Sequence, residues 1–358
     1  MDKQKNIKRI KRLSDANGIS GFEDEVLEVI RSEAAGLGEF EENSLRNLYL
    51  TASANSSGKP VVQLDAHSDE VGFMVRAIRP DGLLEFMNIG GWVPHNIPAH
   101  MVRVRNRKGE YVPGVVASKP PHYMSEEERK APLSIDNMAI DLGAKSAEEV
   151  EANFGIDIAA PIVPEALCTY DESNDILMGK AFDNRLGCAS VIAAMEELQN
   201  ESLKVNLTGV FAAQEEVGLR GAVLAARKVQ PDLAIVFEGC PADDTVMPEY
   251  KAQTVLKKGP MLRHIDARSI TNPRFQRYAL DMAAKKGIPA QSAVRTGGST
   301  NAAQIHLSNE GVPTIVIGTP VRYAHTHYGI SSYADFEAGV QLAIAILKDI
   351  TPEIIASF

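Results

Sequence analysis

Histidine and acidic residues recur in this chain at the ends of apolar, strand-like runs. His67-Ser68-Asp69 closes VVQLDAH, Gln214-Glu215-Glu216 follows VNLTGVFAA, and Glu238 follows LAIVF. His325-Thr326-His327 comes shortly after TIVIG, and Phe182-Asp183-Asn184 precedes a helical stretch. Ligands of open α/β sheets gather at the carboxyl ends of the strands. If these runs share one sheet, its rim collects imidazoles and carboxylates, a nitrogen–oxygen donor set that suits zinc, cobalt or manganese. The chemistry implied is hydrolysis by metal-activated water.

Taken singly, each group has a plainer reading. Residues two apart on a strand point the same way, so Asp69 can hold His67 in place. A strand-end histidine alone is more often structural. Asp183 stands where a helix N-cap would, or where one carboxylate could bridge two ions. Adjacent Glu215 and Glu216 repel each other, which a cation would relieve; one can bind metal while the other serves as general base. Glu238, directly after a buried strand, is costly without a partner. His325 and His327 could each be surface histidines. Arg295 beside Gly297-Gly298 could receive an acidic side chain, although an ordinary surface arginine is the commoner case.

The elements that must carry these groups change character along the chain. Ile7, Ile10 and Leu13 fall at helical spacing, and Ser20-Gly21-Phe22-Glu23 has capping-box spacing ahead of a second helix. From Val71 to Val163 short alternating runs (GFMVRAI, LLEFMNI, HMVRVRN, EYVPGVVAS) are punctuated by Pro and Gly, predicting a small β-barrel or sandwich. A charged turn is expected at Ser125 to Lys130 and a helix near Ser146 to Asn153. After Gly179 helices and strands alternate, ending in an amphipathic helix over Phe336 to Leu347. The simplest organisation is one α/β domain, residues 1–70 and 164–358, split by a β-rich insertion at 71–163.

A length of 358 residues makes two domains the natural expectation. A formal charge of -10 argues against nucleic acid or an anionic membrane as the main partner. Cys168, Cys188 and Cys240 lack CxxC spacing and read as reduced, mostly buried thiols. The lead KQKNIKRIKR has no signal-peptide core, and no apolar run approaches the ~20 residues that span a bilayer. A soluble, cytoplasmic protein is expected.

Read together, the motifs resemble those of the M42 family of metallo-aminopeptidases, the glutamyl- and deblocking-aminopeptidase type. SGFEDEV, LDAHSDEVGFMV, GGW, GVVASKPPH, GKAFDNRLGC, QEEVGLRGA, GGSTNAAQIHLSNEGVPT and RYAHT carry the resemblance over nearly the whole chain. It implies an α/β fold: a phosphorylase/hydrolase-like catalytic domain with an inserted small β-barrel-like domain involved in assembly. It implies two divalent metal ions per subunit, zinc or cobalt, with manganese admissible. His67, Asp183 and Glu238 would bind one ion, and Asp183, Glu216 and His325 the other. Glu215 would be the proton-shuttling base, with Asp69 orienting His67. The implied partners are short peptides with a free amino terminus and further copies of the chain, from dimer to dodecamer. Four positions depart from the pattern: Glu238 for a usual Asp, Asn301 for a common acid, Thr326 for Ser, and His327 for Pro. His327 is a reserve ligand candidate.

Rival expectations use the same residues. Amide deacylation or dipeptide hydrolysis would need the same paired ions. An endoglucanase needs two carboxylates flanking a sugar at least ~5 Å apart, which leaves the histidines unexplained. A non-catalytic assembly protein would have had no use for so complete a ligand set.

Overall fold

The computed structural model describes all 358 residues. The chain forms two compact units, one of Met1–Asp69, Leu167–Ala324 and Tyr328–Phe358, the other of Glu70–Ala166 with His325–His327.

The first unit starts with α1 (Lys3–Asp15) and α2 (Asp24–Glu33). Asp2 caps α1 by accepting from the Lys5 N–H, and the helix buries Ile7, Ile10 and Leu13 as its spacing predicts. The capping box expected for α2 does not form: Glu23 occupies the N-cap without a side-chain cap bond. A hairpin of β1 (Gly38–Glu42) and β2 (Leu48–Ala52) follows, with too weak an apolar pattern to be read beforehand. Then comes β3 (Val61–His67), buried from Val62 onward.

In the second unit β4 (Gly72–Ile78), β5 (Leu84–Ile89), β6 (Met101–Arg105), β7 (Tyr111–Val116), β8 (Ile140–Asp141) and β9 (Pro161–Pro164) close into a barrel, in the order β4-β5-β8-β7-β6-β9. The stretch expected as a charged turn is a short helix, α3 (Glu126–Lys130), because Ser125 and Glu128 form a reciprocal capping box. A further helical turn, α4 (Ala147–Glu149), precedes β9. Phe73, Phe86, Val102, Val104 and Ile162 fill the barrel, and Trp92 stacks on Phe73 at 4.6 Å. Phe86 and Trp92 therefore serve the barrel's own core, while Met87 is about half exposed.

The first unit resumes with β10 (Thr169–Asp171), β11 (Ile176–Gly179), α5 (Phe182–Leu198), β12 (Asn206–Ala212), α6 (Arg220–Val229) and β13 (Leu233–Pro241). It ends with β14 (Met261–Ile265), α7 (Pro273–Lys286), β15 (Gln291–Val294), α8 (Ala302–Ile305), β16 (Thr314–Val321), β17 (Gly329–Ser331), α9 (Tyr333–Asp349) and α10 (Pro352–Ala356). Eight strands form one sheet in the order β1-β2-β12-β3-β13-β16-β14-β15, parallel through its centre. The unbroken apolar runs of β13 and β16 follow from burial on both faces. Ile235 and Phe237 face the large core with α5 and α9, while Ala234 and Val236 face Ala226 and Ile305 on the other side.

One glycine decides how closely α5 can approach the sheet. A Cβ on Gly239 would lie 2.5 Å from the Phe182 carbonyl oxygen and 2.7 Å from the Asp183 Cα. Both obstacles are backbone, so neither can rotate away. Gly239→Ala should lower stability by ~1–3 kcal/mol, the usual cost of overpacking, and should push the Asp183 segment off β13. Urea unfolding of the purified variant checks the first effect.

Candidate active site

Strand register builds the rim. On β12 and β3, Ala212 pairs with His67; on β13 and β3, Val236 pairs with Asp65. Glu238, two residues beyond Val236, therefore stands level with His67. After β12 the chain reverses through Gln214 at a left-handed φ of 54°, bringing Glu215 and Glu216 over the rim. Asp183 leaves helical geometry (φ -84°, ψ 101°) at the start of α5, and the Asp183–Asn184 peptide is cis. Asn184, whose Oδ1 accepts from the Gly187 N–H at 3.0 Å, makes the capping bond that the sequence offered to Asp183. Asp183 Oδ1 lies 3.0 Å from His67 Nε2.

His67 is the centre of the arrangement. Its Nε2 also lies 3.4 Å from Glu238 Oε1 and 4.0 Å from Glu215 Oε2. Its Nδ1 faces Asp69, 3.1 Å from the carbonyl oxygen and 3.3 Å from Oδ1. That orientation puts the Nδ1 proton toward Asp69 and aims Nε2 among the acids, as a metal-ligating histidine requires. Two overlapping sets, His67–Glu215–Glu238 and His67–Asp183–Glu216, each have their ligand atoms within 4.8 Å of one another. Asn184 Nδ2 donates to the Phe237 carbonyl (2.8 Å) and to Glu238 Oε2 (3.3 Å), anchoring the longer acid.

The electrostatics record the crowding. Burial, and then the charge of Asp183, push Glu238 up to about 8, with His67 and Arg263 opposing. Burial raises Glu215 well above the usual carboxylate range, reinforced by Glu238, Glu216 and Asp183 against the charge of His67. Burial disfavours a charged His67, but Glu215, Asp183, Asp69 and Glu238 together outweigh it and raise its pKa. Burial likewise opposes ionisation of Asp69, yet the bonds from His67, Ser20 and the Glu215 amide hold it below its ordinary value. Such a buried excess of acids over bases fits divalent cations, which would discharge the repulsion.

The other predicted residues lie as follows. His325 groups with the barrel unit, its Nδ1 3.0 Å from the Gly91 carbonyl oxygen. His327, buried, stacks on His100 at 4.2 Å and meets the Trp92 edge at 5.3 Å. Burial, and then His100, lower its pKa to about 3, so it stays neutral. Asn301 Nδ2 donates to Asp65 Oδ1 at 2.7 Å. Asp65 is fully buried and pushed up to about 6 by burial, against the bonds from Asn301 and Gln63. Arg295 is engaged by Asp243 (3.2 Å), the Pro241 carbonyl (3.0 Å) and the Thr254 hydroxyl, which gives it a structural role. Ser20, Glu23 and Arg185 were not anticipated here. Ser20 donates to Asp69, and Arg185 donates to the carbonyls of Ser68, Leu13, Ala16 and Gly18. The SGFE motif was visible in the sequence, but its spacing signalled a helix cap.

An imidazole ringed by carboxylates at the rim of a parallel sheet is the donor set of a metal-assisted hydrolase. The chain belongs to the M42 peptidase family, described as M42 glutamyl aminopeptidase, whose model matches residues 47–342. It is a peptide hydrolase of the aminopeptidase class. The glutamyl aminopeptidase of Lactococcus lactis subsp. cremoris is 31% identical, with 97% of each chain covered. The crystal structure of a TET aminopeptidase from a marine-sediment Thaumarchaeota archaeon superposes with a TM-score of 0.94 at 35% identity, covering 99% of both chains. The TET1 peptidase of Pyrococcus horikoshii, which can assemble into a tetrahedron or a large octahedral shell, gives a TM-score of 0.86 at 26% identity, covering 96% of this chain and 100% of its own.

A raised Glu238 pKa means that the folded, metal-stripped protein holds this proton more tightly than the unfolded chain. The resulting stabilisation is complete below the ordinary value of 4.5 and is lost as the pH rises through about 8. Thermal unfolding in chelator should therefore show wild type weakening across that window, and Glu238→Gln weakening less. Parallel pH profiles for the two proteins would refute this assignment.

Proposed function

We propose that this protein is a dinuclear metal-dependent aminopeptidase that removes residues one at a time from the amino end of short peptides. The observation that carries the reading is the convergence of His67, Asp183, Glu215, Glu216 and Glu238 within ligand reach in a chain of this peptidase family. His67, Asp183 and Glu238 would hold one divalent ion; Asp183 and Glu216 would hold the other, with His325 as the further ligand given by the family motif. Zinc or cobalt suits this set, and manganese is tolerated by the same donors. The ions would supply Lewis acidity, polarising the scissile carbonyl and acidifying a water.

The chain's own residues do the rest. Glu215 takes a proton from the attacking water on a carboxylate oxygen and later delivers it to the departing amine nitrogen. Asp69 holds His67 through Nδ1, so that Nε2 stays directed at the site. The free α-amino group of the substrate is received among the acids, which confines cleavage to the terminal peptide bond. Water and peptide thus become one amino acid and a peptide shorter by one residue.

We infer further that the chain works as a homo-oligomer, supported by its likeness to a TET peptidase that assembles into shells. Exposed Met87, Met101, Val115 and Tyr123 on the barrel unit offer apolar surface for such contacts. A cytoplasmic setting suits the three free, buried cysteines, and no helix is long and apolar enough to cross a membrane.

Metal-stripped protein should lose hydrolysis of N-terminal amino-acid p-nitroanilides and regain it with zinc or cobalt. Full activity at nil metal content would sink the reading. Glu215→Gln should lower kcat by roughly 10²–10⁴ with metal content retained, whereas Glu216→Gln and Asp183→Ala should lose metal, Asp183→Ala the more. Swapped results for the two glutamates would swap their roles. Light scattering during size-exclusion chromatography should give a mass several times that of one chain; a monomer with full activity would remove the assembly claim alone.

A further inference from the structure

The Ser20-Gly21-Phe22-Glu23 segment has the spacing of a helix capping box, yet both polar side chains are turned away from α2. Ser20 Oγ donates to Asp69 Oδ2 at 2.6 Å, with both residues buried. Glu23, also buried, accepts on Oε1 from the Gly21 N–H (2.9 Å) and the Gln214 N–H (3.2 Å). Asp69 accepts in turn from the Glu215 N–H on Oδ1 (3.0 Å) and the Glu216 N–H on Oδ2 (3.2 Å). Three successive amides of one turn are therefore held by two buried carboxylates. The turn needs such holding, because Gln214 sits at φ 54°, and a left-handed residue with a side chain persists only where its surroundings impose it. The N-terminal segment is itself fixed to the site: Arg185 donates to Gly18 O at 3.2 Å and to Ser68 O at 2.9 Å.

An ionised carboxylate offers about four lone-pair sites. Asp69 fills them with the Ser20 hydroxyl, two amides and the facing His67 Nδ1. Together the four donors hold it in one rotamer, and the Ser20 hydroxyl is the shortest of the contacts. We propose that Ser20 is a positioning residue for Glu215: its hydroxyl locks Asp69 in the one orientation that ties the Glu215–Glu216 turn to His67. The inference rests on the reading of Glu215 as the general base. Ser20 acts through Asp69, and its loss frees Asp69 to rotate, letting the Glu215 carboxyl drift from its place beside His67.

The test uses the full-length, metal-reconstituted protein and an N-terminal amino-acid p-nitroanilide. Ser20→Ala should lower kcat by roughly 10- to 100-fold, the usual cost of losing a partner one step behind the reacting groups. KM, metal content by mass spectrometry and the unfolding midpoint should stay near wild type. Ser20→Thr, which keeps the hydroxyl, should restore most of kcat. In an Asp69→Asn background, Ser20→Ala should add little, because the residue it acts through is already altered. Should Ser20→Ala not fold, Ser20→Cys carries the same comparison, a thiol being a weak donor. A wild-type kcat in Ser20→Ala, equal losses in the Ala and Thr variants, or effects that multiply fully with Asp69→Asn would each overturn the proposal. Inactive reconstituted wild type would instead overturn the aminopeptidase reading on which it rests.

Discussion

Everything in the first unit answers one electrostatic demand: four carboxylates must be kept together around a single buried imidazole. Two like charges ~4 Å apart near a protein surface repel by about 4 kcal/mol, and Asp183, Glu215, Glu216 and Glu238 share such a space. Left to itself, a flexible rim would splay. The central parallel strands prevent this because β3, β12 and β13 end in a hydrogen-bonded register that side-chain repulsion cannot slide. Asp183 is pressed against β13 by the absence of a Cβ on Gly239, and Arg185 knots the site's floor with four carbonyl contacts.

An apoprotein with raised carboxylate pKa values is poorly satisfied alone and would gain from bound cations, which would link metal binding to stability.

Glu238 stands where the motif resemblance leads one to expect an aspartate. Its extra methylene relative to aspartate is absorbed by a carboxylate that still reaches His67 at 3.4 Å and is tethered by Asn184. Asn301 donates to the buried carboxylate of Asp65. The barrel unit follows a different logic. Its closed ladder leaves no free strand edge.

Periodicity was enough to separate an α/β unit from a β-rich one, because strands buried on both faces and strands curled round a small core leave different apolar patterns. The motifs point to His67, Glu215, Glu216 and Glu238 at strand ends and to Asp183 ahead of a helix, and strand register is what brings these side chains to one rim. Shorter signals failed. Strand β2, which pairs with β12, and the two- and four-residue strands β8 and β9 are set by pairing partners far along the chain, which no local pattern encodes. Ser20-x-x-Glu23 is the plainest case. Its spacing favours a helix cap at a worth of about 1 kcal/mol, but a buried aspartate needing a full set of donors is a stronger claimant. That claimant lies 49 residues away, and only the tertiary structure brings it within reach.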